Sequence, residues 1–499
     1  MATVAARDAC GRLPGRSPGT ARILMTGDVM LGRGIDQVLP FHSHPRIYES
    51  CVQDARGYVK LAATANGPLP EPRGFDYPWG IAVQDMEQHQ PNVKLINLET
   101  AVTTYDRPWP HKPINYRMHP GNVETLRSAG IQVCSLANNH VLDWCEPGLL
   151  ETLDALEQAG VQYAGAGRNA EQAQRPAIVH LPAVMAPTAA GAPTAASAAA
   201  SQEAGTPGPD FTVSGAAAAG QNQLHHRMDA GSPELGGAGG SMSSAWSGSP
   251  SPKGRAGERQ GGEDSPVPTG GDHEGGLGGR VLIWAVGHAS SGVPDEWAAT
   301  AGRPGVFVTD LSERDVKHLG ELVRAEKRLG QDVAVVSVHW GSNWGYDVPK
   351  EQQHFARALI NTAGVDVVHG HSSHHAKGFE IYHGKLIMYG AGDLISDYEG
   401  ITNTAVEVCY PPEWYRDDVG VLWYADVSMR DGTLSQLTMT PTRLRHMRLE
   451  QPEPQDLQYI YKTLDRESRK LGGEGVEFTA SGASLVAVMP EEGGSSREA

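Results

Sequence analysis

Five short apolar runs, at 22–26, 93–97, 133–136, 333–338 and 365–368, each lead into residues whose side chains bind metals. They deliver, in order, Asp28, Glu99, the pair Asn139-His140, His339, and the cluster His369-Gly370-His371-Ser372-Ser373-His374-His375. A run of this length, rich in β-branched residues and closed by a polar turn, predicts a buried strand. Strand ends are where α/β proteins assemble their sites. Between the runs, apolar residues recur with helical spacing at 124–129, 149–159, 311–329 and 350–363. Strands and helices alternating in this way predict an α/β layered architecture with covered sheets.

The remaining sequence separates into segments of different character. From 187 to 279 the composition shifts to Ala, Gly, Ser and Pro with few large apolar residues, which predicts a disordered insertion unable to offset its ordering entropy. The apolar triplet Ala177-Ile178-Val179 before it and Val281-Leu282-Ile283-Trp284 after it are expected to pair as neighbouring strands. One domain is therefore expected from 22–186 and 280–470, with a disordered tail over 1–21 and a flexible Gly-rich tail over 471–499.

A formal charge of -17 does not favour a nucleic-acid partner, since phosphate backbones are held by clustered Lys and Arg. An anionic substrate, small or polymeric, would have to be held by local cations or metal. The five cysteines are scattered and lack a CxxC spacing, as expected of reduced thiols in the cytoplasm or another reducing compartment. Arg7, Arg12, Arg16 and Arg22 give the N-terminus a faint likeness to an organelle transit peptide. No apolar run is long enough to span a membrane, so a soluble protein is expected.

A hydrolytic metal site needs carboxylates and imidazoles converging from several strand ends, with positions left open for water and substrate. Asp28 offers one hard oxygen, with Gly27 expected to let the backbone pass close to the ion. Taken alone, an Asp in this place also serves as a turn or cap residue. Glu99 is a candidate bridge between two metals, and Asn139 can ligate through its amide oxygen while His140, near the metal but off it, acts as general acid. His339 ends a strongly β-branched run, where a hydrogen-bonded core histidine is the competing explanation. Within the cluster of histidines, His371 and His374 are the expected ligand pair, with Gly370 allowing a tight turn. Arg33, Lys112, Tyr116 and Arg117 are the candidate anion-binding groups.

The motifs Gly27-Asp28-Val29-Met30-Leu31-Gly32-Arg33, Asn97-Leu98-Glu99-Thr100, Ala137-Asn138-Asn139-His140, His339-Trp340-Gly341 and Gly370-His371-Ser372-Ser373-His374 together resemble the bacterial CapA family, which is associated with poly-γ-glutamate capsule formation. The resemblance runs from about residue 22 to 361 outside the insertion and on through Tyr389-Gly390-Ala391-Gly392-Asp393. It implies a fold similar to calcineurin-like metallophosphoesterases, a two-sheet sandwich flanked by helices. It also implies one or two divalent ions such as Mn, Zn or Fe. In that scheme Asp28 ligates the first metal, Glu99 bridges, Asn139 with His339 and His371 holds the second, His374 returns to the first, and His140 is the acid. The sequence departs from the phosphoesterase pattern at Met30, where a ligand histidine is usual, at the three-residue step from His371 to His374, and in having Glu99 for an aspartate. The implied activity is hydrolysis of a phosphoester or related anionic bond. The alternative is a non-catalytic protein that binds polymer or assists assembly in polyglutamate synthesis or export.

Overall fold

The computed structural model describes residues 19–50, 52–182, 278–401 and 415–490. Before the insertion the chain forms β1 (Thr20–Val29), β2 (Val93–Leu98), β3 (Val133–Ser135), helix α1 (Cys145–Ala159), β4 (Gln162–Ala164) and β5 (Ala177–His180). After it come β6 (Arg280–His288), β7 (Val308–Thr309), α2 (Glu313–Glu326), β8 (Asp332–His339), α3 (Lys350–Thr362) and β9 (Val367–His371). The last part contributes β10 (Phe379–Tyr382), β11 (Lys385–Met388), β12 (Asp393–Ile395), β13 (Val419–Ser428), β14 (Leu434–Arg445), α4 (Pro454–Lys470), β15 (Val476–Phe478) and β16 (Leu485–Ala487).

Two sheets share these strands. One runs β15-β16-β14-β13-β1-β2-β3-β4, with β12 beside the end of β1; the other runs β7-β6-β8-β9-β11-β10, with β5 on β6. Successive side chains of a strand point to opposite faces, and the cores follow that alternation. Ile23, Met25, Val93 and Leu95 of the first sheet meet Val281, Ile283, Val333 and Val335 of the second in one cluster between the sheets. Their neighbours Leu24 and Ile96 pack outward with Leu149, Leu153 and Leu156 of α1. Leu282, Trp284, Val336 and Val338 pack outward with Leu319 and Val323 of α2 and with Phe355 and Leu359 of α3. The expected sandwich of two sheets flanked by helices is therefore present.

Several boundaries are worth fixing. Helix α2 starts later than its apolar periodicity implies because Ser312 caps it, its side chain accepting from the Asp315 amide. Strands β5 and β6 pair antiparallel, with Ala177 opposite Ile283 and Val179 opposite Val281, as expected for the flanks of the insertion. Of the expected insertion, residues 187–277 lie outside the described residues, as do residues 1–18 of the N-terminal tail. The C-terminal expectation needs correction. Within residues 473–490 the chain is not frayed: β15 and β16 pair with each other, and β16 adds to β14 with Val486 opposite Thr438, while residues 491–499 lie outside the described residues. Cys134 and Cys145 are free thiols among the described residues, while Cys10, Cys51 and Cys409 lie outside them. Among the described residues no helix is long and apolar enough to cross a membrane.

Candidate metal centre

Asp28 is placed by a change of partner along β1. Up to Met25 that strand pairs antiparallel with β13; beyond a register shift, Asp28 stands between Asn97 of β2 and Asp393 of β12. Gly27 makes this crossing feasible, since a Cβ there would lie 1.6 Å from the Gly392 carbonyl oxygen. Its lack of a side chain thus serves a strand contact, not the approach to an ion expected from the sequence. The Asp28 carboxylate is buried; Asn97 Nδ2 donates to Oδ1 at 2.8 Å, and Asn138 Nδ2 donates to Asn97 Oδ1 at 3.1 Å. Oδ2 has no hydrogen-bond partner. Burial, followed by the charge of Asp393, pushes the Asp28 carboxyl up to about 8.

The imidazoles arrive from the second sheet, where the parallel strands β8 and β9 end side by side with His339 opposite His371. Their Nδ1 atoms face each other at 2.8 Å. His371 Nε2 meets Ser337 Oγ at 2.8 Å, and Nδ1 lies 3.8 Å from Asp28 Oδ1. His339 Nε2 lies 3.1 Å from Asn139 Oδ1 and 3.8 Å from Glu99 Oε1. Burial above all holds both rings well below the usual imidazole range, so they are neutral with lone pairs to offer. One donor atom from each of Asp28, His339 and His371 fits within a mutual 4.8 Å. A carboxylate oxygen without a partner and two neutral imidazoles form a donor set that suits a divalent transition ion, and three ligands leave coordination positions open.

The rest of the histidine cluster behaves differently. His369 is a core residue, its ring bonded to Ser337 Oγ at 3.1 Å and to the Thr26 carbonyl at 2.8 Å. Gly370 lies within β9 and not in a turn; a Cβ there would come 2.5 Å from the Met388 oxygen and 2.7 Å from Trp340 Nε1. The turn falls at Ser372, whose φ of 102° is unusual outside glycine. His374 is not one of the three converging residues: its Nδ1 lies 2.9 Å from Asp393 Oδ2 and its Nε2 2.9 Å from Asn343 Nδ2. Burial opposes its charge, but Asp393 prevails and raises the ring to about 9. Glu99, buried next to His339, is pushed well above the carboxylate range by burial and then by Asp28 and Asp393.

His140 lies next to this group. Its Nδ1 is 2.6 Å from Asp143 Oδ2, and its ring stacks on Tyr116 with centroids 3.8 Å apart. Burial pulls the ring down to about 4 against the opposing pull of Asp143. Lys112 Nζ sits 2.7 Å from Asp143 Oδ1 and 3.2 Å from His140 Nδ1, so two of the expected anion-binding residues, Lys112 and Tyr116, do gather here. The two arginines are engaged by other groups of the protein. Arg33 is buried against Asp397, Glu49 and the Tyr58 hydroxyl, and its guanidinium lies 4.6 Å from the Tyr116 ring centroid. Arg117 donates to the carbonyls of Tyr105 and His44 and lies over the Trp144 ring. Two residues went unassigned in the sequence. Asp143 follows His140 by three positions, just past the Ala137–His140 motif, and Asp393 closes the Tyr389-Gly390-Ala391-Gly392-Asp393 motif without an assigned role.

The model of the family described as bacterial capsule synthesis protein PGA_cap matches residues 22–232 and 274–398. A probable polyglutamine synthesis accessory protein of Mycobacterium tuberculosis, found in two strains, is 34% identical over 484 residues, covering 97% of this chain and 99% of the relative. The capsule biosynthesis protein CapA of Bacillus anthracis is 19% identical over 382 residues, 76% of this chain and 60% of that protein. The PGA biosynthesis protein CapA of Bacillus subtilis is 34% identical over 108 residues, 22% of this chain and 26% of its own length. The chain belongs to the family described as bacterial capsule synthesis protein PGA_cap.

Proposed function

We propose that this chain is a metal-dependent hydrolase of metallophosphoesterase type, acting on a phosphoester or related anionic bond in capsule or polyglutamate synthesis. The observation that carries the reading is the convergence of Asp28, His339 and His371, with Asp28 Oδ2 buried and unpartnered. These three residues would hold the metal, and Glu99 and Asn139 beside His339 extend the donor set. A bound divalent ion supplies a Lewis acid and a nucleophile at neutral pH. His140 moves the proton: Asp143 accepts from Nδ1, fixing the tautomer whose Nε2 exchanges with substrate. The ring is neutral in the free protein, and an anionic group bound next to it raises its affinity for the proton.

A second reading, a polymer-handling accessory protein without turnover, draws support from Arg33 and Arg117, both held by groups of the protein itself. Turnover separates the two. Protein loaded with Mn²⁺, Zn²⁺ or Fe²⁺ is expected to hydrolyse bis(p-nitrophenyl) phosphate and to stop when chelator is added. Binding of poly-γ-glutamate with no hydrolysis under any of the three metals would favour the accessory reading.

A further inference from the structure

The Asp143 carboxylate joins two distant parts of the chain. Its Oδ2 accepts from His140 Nδ1 at 2.6 Å and from the backbone amide of Tyr116 at 2.6 Å. Trp144 Nε1 donates to the Tyr116 carbonyl at 2.9 Å, so the Tyr116 backbone is held on both sides of its α-carbon. A single hydrogen bond fixes one point of an imidazole and leaves the ring free to tilt about the axis of that bond. The Tyr116 ring removes this freedom: it lies on the face of His140, with centroids 3.8 Å apart and planes 19° from parallel.

Tyr116 is locked in turn. Its side chain is buried, its hydroxyl lies 2.8 Å from that of Tyr398, and the Arg33 guanidinium sits 4.6 Å from its ring centroid. The same guanidinium is bound by Asp397, the residue before Tyr398, and lies 5.7 Å from the Tyr398 ring. Tyr398 meets the His374 ring edge-on at 5.4 Å. The row His140, Tyr116, Tyr398, His374 therefore connects the general acid to the imidazole that Asp393 holds. With its ring on His140 and its hydroxyl on Tyr398, Tyr116 serves the histidine instead of clamping an anion.

We propose that Tyr116 is a positioning residue for His140: its ring sets the plane of the imidazole, and with it the direction in which Nε2 meets a leaving group, while Tyr398 and Arg33 hold the tyrosine in place. This role rests on His140 being the proton-transferring residue of the proposed hydrolase, and two measurements tell the two apart. The first needs no metal. In full-length protein freed of metal by EDTA, the Nδ1 proton of His140, identified in the NMR spectrum of isotope-labelled histidine by its loss in His140→Gln, is expected to exchange slowly with water. Tyr116→Leu is expected to speed that exchange by roughly tenfold or more, as for a weakened hydrogen bond to a charged group. Tyr116→Phe, which keeps the ring, is expected to preserve the protection. The second measurement is turnover of metal-loaded protein. Tyr116→Leu is expected to hold as much metal as wild type and to lose about 100-fold in kcat on a phenyl phosphodiester, the usual effect of a small misplacement, with little change in KM. The loss is expected to shrink with a p-nitrophenyl leaving group, and Tyr116→Phe is expected to recover most of it. Unaltered exchange in folded Tyr116→Leu overturns the proposal, as does a raised KM at wild-type kcat, which would make Tyr116 a substrate contact. If wild type turns over nothing with any metal, the hydrolase reading fails and the exchange measurement alone decides on Tyr116. If Tyr116→Leu does not fold, loss of the protection in Tyr116→Phe overturns the proposal instead.

Discussion

His339 and His371 stand opposite each other at the ends of two parallel strands, with their Nδ1 atoms 2.8 Å apart. Ser337 Oγ holds His371 from the other side, 2.8 Å from Nε2. Ser337 therefore holds the orientation of the His371 ring from the side away from His339. Ser337→Ala is expected to leave folding intact and to weaken metal binding by about 10- to 100-fold, the usual effect of removing an outer-shell partner. Competition with a chromophoric chelator measures this; unaltered affinity would mean that the ring is positioned by packing alone.

Arg33 is a structural cation. Its guanidinium, with a side chain 3% exposed, neutralises Asp397 and Glu49. Arg33→Ala strands two buried carboxylates, and breaking a buried pair from one side typically costs about 3–5 kcal/mol. Denaturant unfolding should show a loss of that order. A variant as stable as wild type, but with impaired anion binding, would restore the substrate clamp expected from the sequence.

Metal should stabilise the protein more as pH rises. The Asp28 carboxyl binds its proton more tightly in the folded chain, at about 8, than in the unfolded one, where it titrates near 3.8. The stability tied to it is thus complete at low pH and is lost as pH rises from about 4 to about 8. His374, raised to about 9, has the same sign, its contribution being present below about 6.5 and lost through about 9. Melting temperatures of metal-free protein should therefore fall across this range, and Mn²⁺ should restore progressively more at higher pH. A metal-induced shift independent of pH would argue against Asp28 as a ligand.

His140 is bonded to Asp143 and is not one of the three residues whose donor atoms converge. His140→Ala should keep its metal and lose about 10²- to 10⁴-fold in turnover, as for a group that only transfers protons. Smaller losses are expected with leaving groups that need no proton. Loss of metal together with rate would make His140 a ligand.

The strands and most of the donor residues were legible because they rest on local signals. Runs such as 333–338 declare a buried strand, and His339 follows directly. What the sequence could not show depends on register between distant segments. Asp393 acquires meaning only because β12 lies beside the end of β1, opposite Asp28. Gly27 and Gly370 were read as yielding to an ion, whereas each yields to backbone or indole from another strand. Arg33 looked like a clamp because Asp397, its partner, lies 364 positions away. The short strands β15 and β16 were hidden by glycines and gain their stability from β14.

Counting bound metal decides whether Asp28, His339 and His371 form a metal centre. Protein purified without added metal and then equilibrated with Mn²⁺ or Zn²⁺ should retain ion by mass spectrometry. Asp28→Ala and His371→Ala should each lower that content while circular dichroism stays as in wild type, because the triad contributes little to the three apolar cores. Retained ion in both variants at the wild-type level would contradict the assignment of the centre.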